Sequence, residues 1–125
     1  MRRRARMTKV PILVVDDDLD LLAAVAEVLA CEDYAIHTAT NGVEALQEVE
    51  RCGPQLALLD LYMPVLDGWS FAQEIHERHL ALKILVMTAA PNVKVWAAEI
   101  QADGYLAKPF ELPHLLREVD RLCAP

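Results

Sequence analysis

The sequence predicts an α/β fold, a doubly wound sheet of five parallel strands with helices on both faces. Three observations predict it. Short apolar runs rich in branched residues recur along the chain, as strands buried on both faces require. Segments of helical periodicity lie between them, and that alternation builds a parallel sheet. The chain has 125 residues with no internal repeat or low-complexity linker, enough for one domain and one core.

The elements follow in order. Residues 12–15 (ILVV) form the first strand. Residues 19–31 place Leu22, Val25, Ala26 and Leu29 on one helical face. Asp18 and Asp20 stand at the start of that helix, where its dipole favours acids. Residues 34–39 (YAIHTA) are a weaker strand. A second helix over 42–51 follows Asn41, an N-cap with Glu44 three residues on. Residues 56–59 (LALL) are the third strand. Asp67 and Gly68 make a turn that opens a helix over 68–79, with Trp69, Ala72 and Ile75 together. Residues 83–87 (KILVM) are the fourth strand. A short helix over 92–101 follows, delayed by Pro91, with Gln101 where a glycine commonly ends a helix. Residues 104–108 (GYLAK) are a weaker fifth strand. The last helix, 112–123, places Leu112, Leu115, Leu116, Val119 and Leu122 on one stripe, with Pro113 tolerated in its first turn.

Composition narrows the class. Hydrophobic residues make up 54% and charged residues 25%, as in a globular domain. No apolar run approaches the roughly 20 residues of a membrane span. Residues 1–9 (MRRRARMTK) read as a basic, disordered tail, and residues 10–123 as the folded domain. The apolar run behind the tail is too short and too acidic for a signal peptide. The net charge is −7 despite that tail, so the body is acidic, which argues against direct contact with nucleic acid. Cys31, Cys52 and Cys123 have no metal-binding spacing and fit reduced thiols in a cytoplasmic protein. The four histidines, His37, His76, His79 and His114, are scattered.

In such sheets ligands bind at the carboxyl ends of the strands, where strand order reverses. Asp16 and Asp17 follow the first strand, Asp60 ends the third, Thr88 the fourth and Lys108 the fifth. Two carboxylates about 4 Å apart repel by about 4 kcal/mol at an effective dielectric near 20. Three together call for a cation, and oxygen donors alone suit Mg²⁺. One carboxylate can then act as nucleophile toward a phosphoryl group, with the metal and Lys108 offsetting the charge on its oxygens. Thr88 can donate a hydrogen bond to one of them.

The motifs VVDDD, LLDLYMPVLDG, VMTAA and GYLAKPF, in this order and each at a strand end, resemble the receiver domain of two-component response regulators, of the single-domain CheY-like type. The resemblance covers about residues 10–123. It implies a flavodoxin-like (βα)5 fold with strand order 2-1-3-4-5. It implies that Asp60 is the phosphoacceptor, with Asp16, Asp17, Asp60 and the backbone carbonyl of Tyr62 around Mg²⁺. Thr88 and Lys108 would contact the phosphoryl group, and Tyr105 would change rotamer with phosphorylation. Pro109 matches the position of a cis peptide bond. The implied donor is a histidine kinase or a histidine phosphotransfer protein. The implied output is a change in the surface of the fourth helix, fifth strand and fifth helix, read by a protein partner in trans. A monomer, or a weak phosphorylation-dependent dimer, is expected, with no turnover of a separate substrate.

The sequence departs from the family in two places. The interval from Thr88 to Lys108 is shorter than usual, so the fourth helix is expected to be short or displaced. Trp96 on it reads as a buried anchor. Tyr62 and Ala90 stand where the family controls access of hydrolytic water, and a bulky ring with no polar group implies slow self-dephosphorylation. Three rival readings compete with this one. A haloacid-dehalogenase-type phosphatase would carry its nucleophile after the first strand. A flavodoxin-like electron carrier needs a phosphate loop there, which three aspartates would repel. The alternative closest to the main reading is a receiver-like scaffold that binds partners without phosphorylation.

Overall fold

The computed structural model describes residues 9–63 and 65–124. The expected basic tail lies outside these except for Lys9, which pairs with Asp33 at 3.7 Å. The elements alternate as β1 (Pro11–Val15), α1 (Leu19–Cys31), β2 (Ala35–Ala39), α2 (Gly42–Cys52), β3 (Leu56–Asp60), α3 (Gly68–Glu77), β4 (Lys83–Thr88), α4 (Val93–Glu99), β5 (Gly104–Ala107) and α5 (Leu112–Cys123). All four strand pairings are parallel, in the order β2-β1-β3-β4-β5. The expected fold and strand order are both present.

Strand side chains alternate between two cores, and this alternation is what the continuous apolar runs encode. Leu13, Val15, Ala57, Leu59, Ile84 and Val86 face one core with Ala45 and Val49 of α2, Phe71 and Ile75 of α3, Ala97 of α4 and Ile100 at its C-cap. Ile12, Val14, Leu56, Leu58, Leu85 and Met87 face the other with Leu22, Val25 and Leu29 of α1 and Leu115, Val119 and Leu122 of α5. Three helices therefore cover one face of the sheet and two cover the other.

Helix ends explain most departures from the expected boundaries. Asp18, Asn41 and Asp67 cap α1, α2 and α3 through side-chain bonds from Leu21, Glu44 and Ser70 backbone N–H groups. Glu44 does not return to its own N-cap. Its carboxylate accepts from the N–H and hydroxyl of Thr40, one residue earlier. Helix α3 stops two residues before the expected end, because His79 takes a positive φ of 54°. Helix α4 spans seven residues, as the shortened interval implied. Asn92 at its N-cap and Gln101 just past its C-cap both have positive φ, so a non-glycine residue ends this helix in the left-handed region. Leu112, expected on the buried stripe of α5, is exposed, since it stands at the helix start beyond the edge of the core. Trp96, expected as a buried anchor, is half-buried at the rim of the α2–α3–α4 core. The Lys108–Pro109 peptide bond is cis.

Candidate functional site

Chain order reverses between β1 and β3, which lie side by side although α1, β2 and α2 intervene. Their register ends with Val15 opposite Leu59. The next residues on the two chains are Asp16 and Asp60, so parallel pairing alone brings these carboxylates abreast. Asp16 is fully buried, Asp60 is 7% exposed and Asp17 is open to solvent. One carboxylate oxygen from each of the three can be chosen so that all lie within 4.8 Å of one another.

Lys108 enters from the end of β5. Its Nζ donates to Asp16 Oδ2 at 2.6 Å and stands 3.5 Å from Asp60 Oδ2. Burial pulls the ammonium toward neutrality, but the bond to Asp16 and the charges of Asp60 and Asp16 outweigh it and hold its pKa above the usual lysine value. For Asp60, burial raises the carboxyl above its usual range; Lys108 opposes this and Asp16 adds to it. Asp60 is thus a carboxylate whose charge the fold tolerates poorly, and a bound cation would offset that charge.

Backbone groups finish the pocket. The N–H of Tyr62 donates to Asp60 Oδ1 at 3.3 Å, and the N–H of Asp18 to Asp16 Oδ1 at 2.9 Å. Asp18 thus caps a helix and steadies Asp16 through its backbone. Asp20 lies in the first turn of α1. Thr88 is fully buried, and its Oγ1 accepts from the N–H of Ala90 at 3.2 Å. The β4–β5 register pairs Val86 with Tyr105 and Thr88 with Ala107, so Thr88 and Tyr105 share a face of the sheet. Tyr105 is 40% exposed. A shallow crevice lined by Asp18, Leu21, Ala89, Lys108, Pro109 and Phe110 opens beside the lysine.

The structure brings together Asp16, Asp17, Asp60 and Lys108, with Tyr62 at the margin and Thr88 on the neighbouring strand. Tyr105 lies farther down β5, toward α4. Sequence reasoning missed Gly68. A Cβ there would stand 2.6 Å from the Asp60 carbonyl oxygen and 2.8 Å from Leu61 Cα. Only glycine lets α3 begin against the backbone of Asp60. The Asp67-Gly68 pair marked a turn, but nothing local showed what it packs on.

The comparisons with known proteins agree with this geometry. The response regulator receiver domain profile matches residues 12–120, nearly the whole described chain. The chain belongs to the response regulator receiver family. Among curated relatives, this receiver is 37% identical over 113 residues to the transcriptional regulatory protein PrrA of Mycobacterium leprae, covering 89% of this chain and 48% of that protein. It is 38% identical to the response regulator MprA of the same organism, covering 89% and 50%. The receiver therefore spans about half the length of the curated relatives it matches. Among solved structures, a putative response regulator from Chloroflexus aurantiacus superposes with a TM-score of 0.87 at 30% identity, over 94% of this chain and 100% of that one. The response regulator TrrA of Thermotoga maritima, solved in complex with Mg²⁺-BeF, gives 0.82 at 35% identity over 92% and 99%. Among the described residues, no helix of the receiver is long and apolar enough to cross a membrane.

Proposed function

We propose that this receiver takes a phosphoryl group onto Asp60 from a phosphohistidine donor, a histidine kinase or a phosphotransfer protein, in a Mg²⁺-dependent reaction. The observation that carries the reading is the convergence of three carboxylates and one ammonium at the β1/β3 switch point. The donor set fits the metal: three hard oxygen donors against a single lysine leave a net negative site that a hard divalent cation matches. Asp16, Asp17 and Asp60 would hold it, with the Tyr62 carbonyl. Bound Mg²⁺ supplies positive charge for the phosphoryl oxygens.

The chain's own residues do the rest. An Asp60 oxygen forms the new P–O bond while the donor's P–N bond breaks and its electron pair returns to the imidazole. Lys108, already placed between Asp16 and Asp60, is within reach of an oxygen of the transferred group. Thr88 can turn its hydroxyl toward the same group, giving up the bond that it accepts from Ala90. The Leu21, Pro109 and Phe110 crevice beside Lys108 offers an apolar seat for the donor. Asp60 is itself the acceptor, so no separate substrate is turned over. The three cysteines are not joined in disulfides, which suits a cytoplasmic setting for the reaction.

The output in this reading is a change in the α4-β5-α5 face. Thr88 and Tyr105 share a sheet face beneath α4, so movement of the hydroxyl changes the space open to the ring. Phosphorylation shifts that equilibrium only by its differential interaction with the two states. The reader of the face, expected from the sequence to be a separate protein partner, senses the shifted population. The test is incubation with acetyl phosphate and Mg²⁺, followed by intact mass. A labile phosphoryl adduct on wild type and none on Asp60→Ala supports the reading; a wild type that stays unmodified supports the non-phosphorylated scaffold instead.

A further inference from the structure

Asp60 and Thr88 end neighbouring strands, and a second run of contacts joins them outside the sheet. The N–H of Tyr62 donates to Asp60 Oδ1. The Tyr62 ring meets Trp69 of α3 edge to face, with centroids 5.1 Å apart and planes at 78°. Trp69 meets Trp96 of α4 in the same way, at 5.9 Å and 85°. The indole N–H of Trp96 donates to the Pro91 carbonyl at 3.0 Å. Ala90, next to Pro91, donates its N–H to Thr88 Oγ1. The run leaves the acceptor residue, crosses α3 and α4, and returns to the adjacent strand end.

The fold alone does not require these rings to meet. Tyr62 is 56% exposed, and both tryptophans are only half-buried at the core's rim. The Trp96 bond has a particular consequence. Asn92, the N-cap of α4, has a φ of 61° and makes no side-chain cap bond. The start of this seven-residue helix is tied down by an indole from its own body. The segment 89–92 is thus held at one end by Thr88 and at the other by Trp96.

We propose that Trp69 and Trp96 are positioning residues for the phosphoacceptor. They tie the Tyr62 backbone to α4, so the position of α4 and the lifetime of the phosphoryl group on Asp60 set each other. The proposal rests on Asp60 being phosphorylated. When the Thr88 hydroxyl turns toward the phosphoryl group, Ala90 loses its acceptor and segment 89–92 is freed at that end. Trp96 still holds the other end, so the displacement passes through Trp69 to Tyr62. Aromatic rings transmit it well, because they are large, stiff and prefer edge-to-face geometry. Coupling of this kind is reciprocal: what α4 gains from phosphorylation, Asp60 loses when α4 is released. Removing a ring frees the Tyr62 N–H from Asp60 and opens the acyl phosphate to water.

The test is a double-mutant cycle on the decay of phospho-Asp60. The protein is phosphorylated with phosphoramidate and Mg²⁺, freed of donor, and followed by intact mass. Trp96→Leu is expected to speed decay roughly two- to tenfold, the scale of one lost aromatic contact, and Trp96→Phe, which keeps a ring against Trp69 but cannot donate to the Pro91 carbonyl, to restore only part of the lifetime. In a Tyr62→Leu background Trp96→Leu should have almost no further effect. Wild-type decay in Trp96→Leu, or equal effects in both backgrounds, overturns the proposal. Where Trp96→Leu does not fold, Trp69→Leu and Trp69→Phe give the same comparison. A wild type that takes no phosphoryl group overturns the acceptor reading itself, an outcome distinct from normal phosphorylation with uncoupled rings.

Discussion

Lys108 Nζ lies 2.6 Å from Asp16 Oδ2, nearly an ångström closer than it lies to Asp60. The lysine expected to serve the phosphoacceptor is therefore, in the resting chain, chiefly the counter-ion of the fully buried Asp16. It serves both the fold and the proposed chemistry, and the two roles separate experimentally.

Removing Lys108 strands a buried charge. In Mg²⁺-free buffer Lys108→Ala should lower unfolding free energy by about 3–5 kcal/mol, the usual result of breaking a buried ion pair from one side. Asp16→Asn in the same background should return part of that loss. Urea unfolding of the single and double variants reads both values. A loss under about 1 kcal/mol for Lys108→Ala would place Asp16 in a wetter setting than its burial indicates.

Asp60 gives a pH signature of known sign. Burial, opposed by Lys108 and reinforced by Asp16, holds its folded pKa above the ordinary value. The folded chain then binds this proton more tightly than the unfolded chain does. Its contribution to stability falls as pH rises from about 3.9 through the higher folded value. Glu44, Glu48 and Glu118 have lowered values and act in the opposite direction. The difference between wild type and Asp60→Asn isolates the term. In chelator, Asp60→Asn should be the more stable protein at neutral pH, and its advantage should vanish on acidification. Thermal midpoints across pH test this.

Gly68 should matter to Asp60 although it carries no chemistry. A Cβ there meets Asp60 and Leu61 backbone, which cannot yield as a flexible side chain would. Gly68→Ala should lower stability by about 1–3 kcal/mol, as overpacking does. It should also slow phosphorylation of Asp60. Gly53 is the control: its φ is 56° and nothing lies within 4 Å of its added Cβ. Gly53→Ala should lose about 1 kcal/mol through backbone conformation alone and leave phosphorylation unchanged. Parallel rates for the two variants would detach Gly68 from the site.

The aspartate triplet after β1 should divide by role. Mg²⁺ at a hundredfold its Kd should stabilise wild type by about 2.7 kcal/mol. Asp17→Ala should remove that response. Asp18→Ala should lose about 1 kcal/mol from its N-cap bond to Leu21 and keep the response. Thermal shifts with and without Mg²⁺ decide; the reverse pattern would exchange the two assignments.

Much of this was legible in the sequence because parallel sheets write themselves plainly. Runs such as ILVV and LALL alternate between two apolar cores and leave their functional residues at one end. Asp16, Asp60 and Lys108 were therefore visible as a set before any contact was known. Helix starts were legible where a capping side chain announced them, as at Asp18, Asn41 and Asp67. What stayed hidden depends on contacts between segments far apart in sequence. The space reserved at Gly68, the meeting of Tyr62, Trp69 and Trp96, and the exposure of Leu112 follow from how elements sit on one another. The end of α3 before His79 and the left-handed Asn92 rest on residue types that tolerate positive φ better than most but do not demand it, so nothing local announced them.

The central claim is that Asp60 is the residue that takes the phosphoryl group. Its most direct test is to treat the protein with phosphoramidate and Mg²⁺, reduce the acyl phosphate with borohydride, and sequence the peptides by mass spectrometry. Homoserine at position 60, absent when Mg²⁺ is chelated and absent in Asp60→Asn, is the predicted result. Homoserine at Asp16 or Asp17, or none at any aspartate of a folded wild type, would contradict the account.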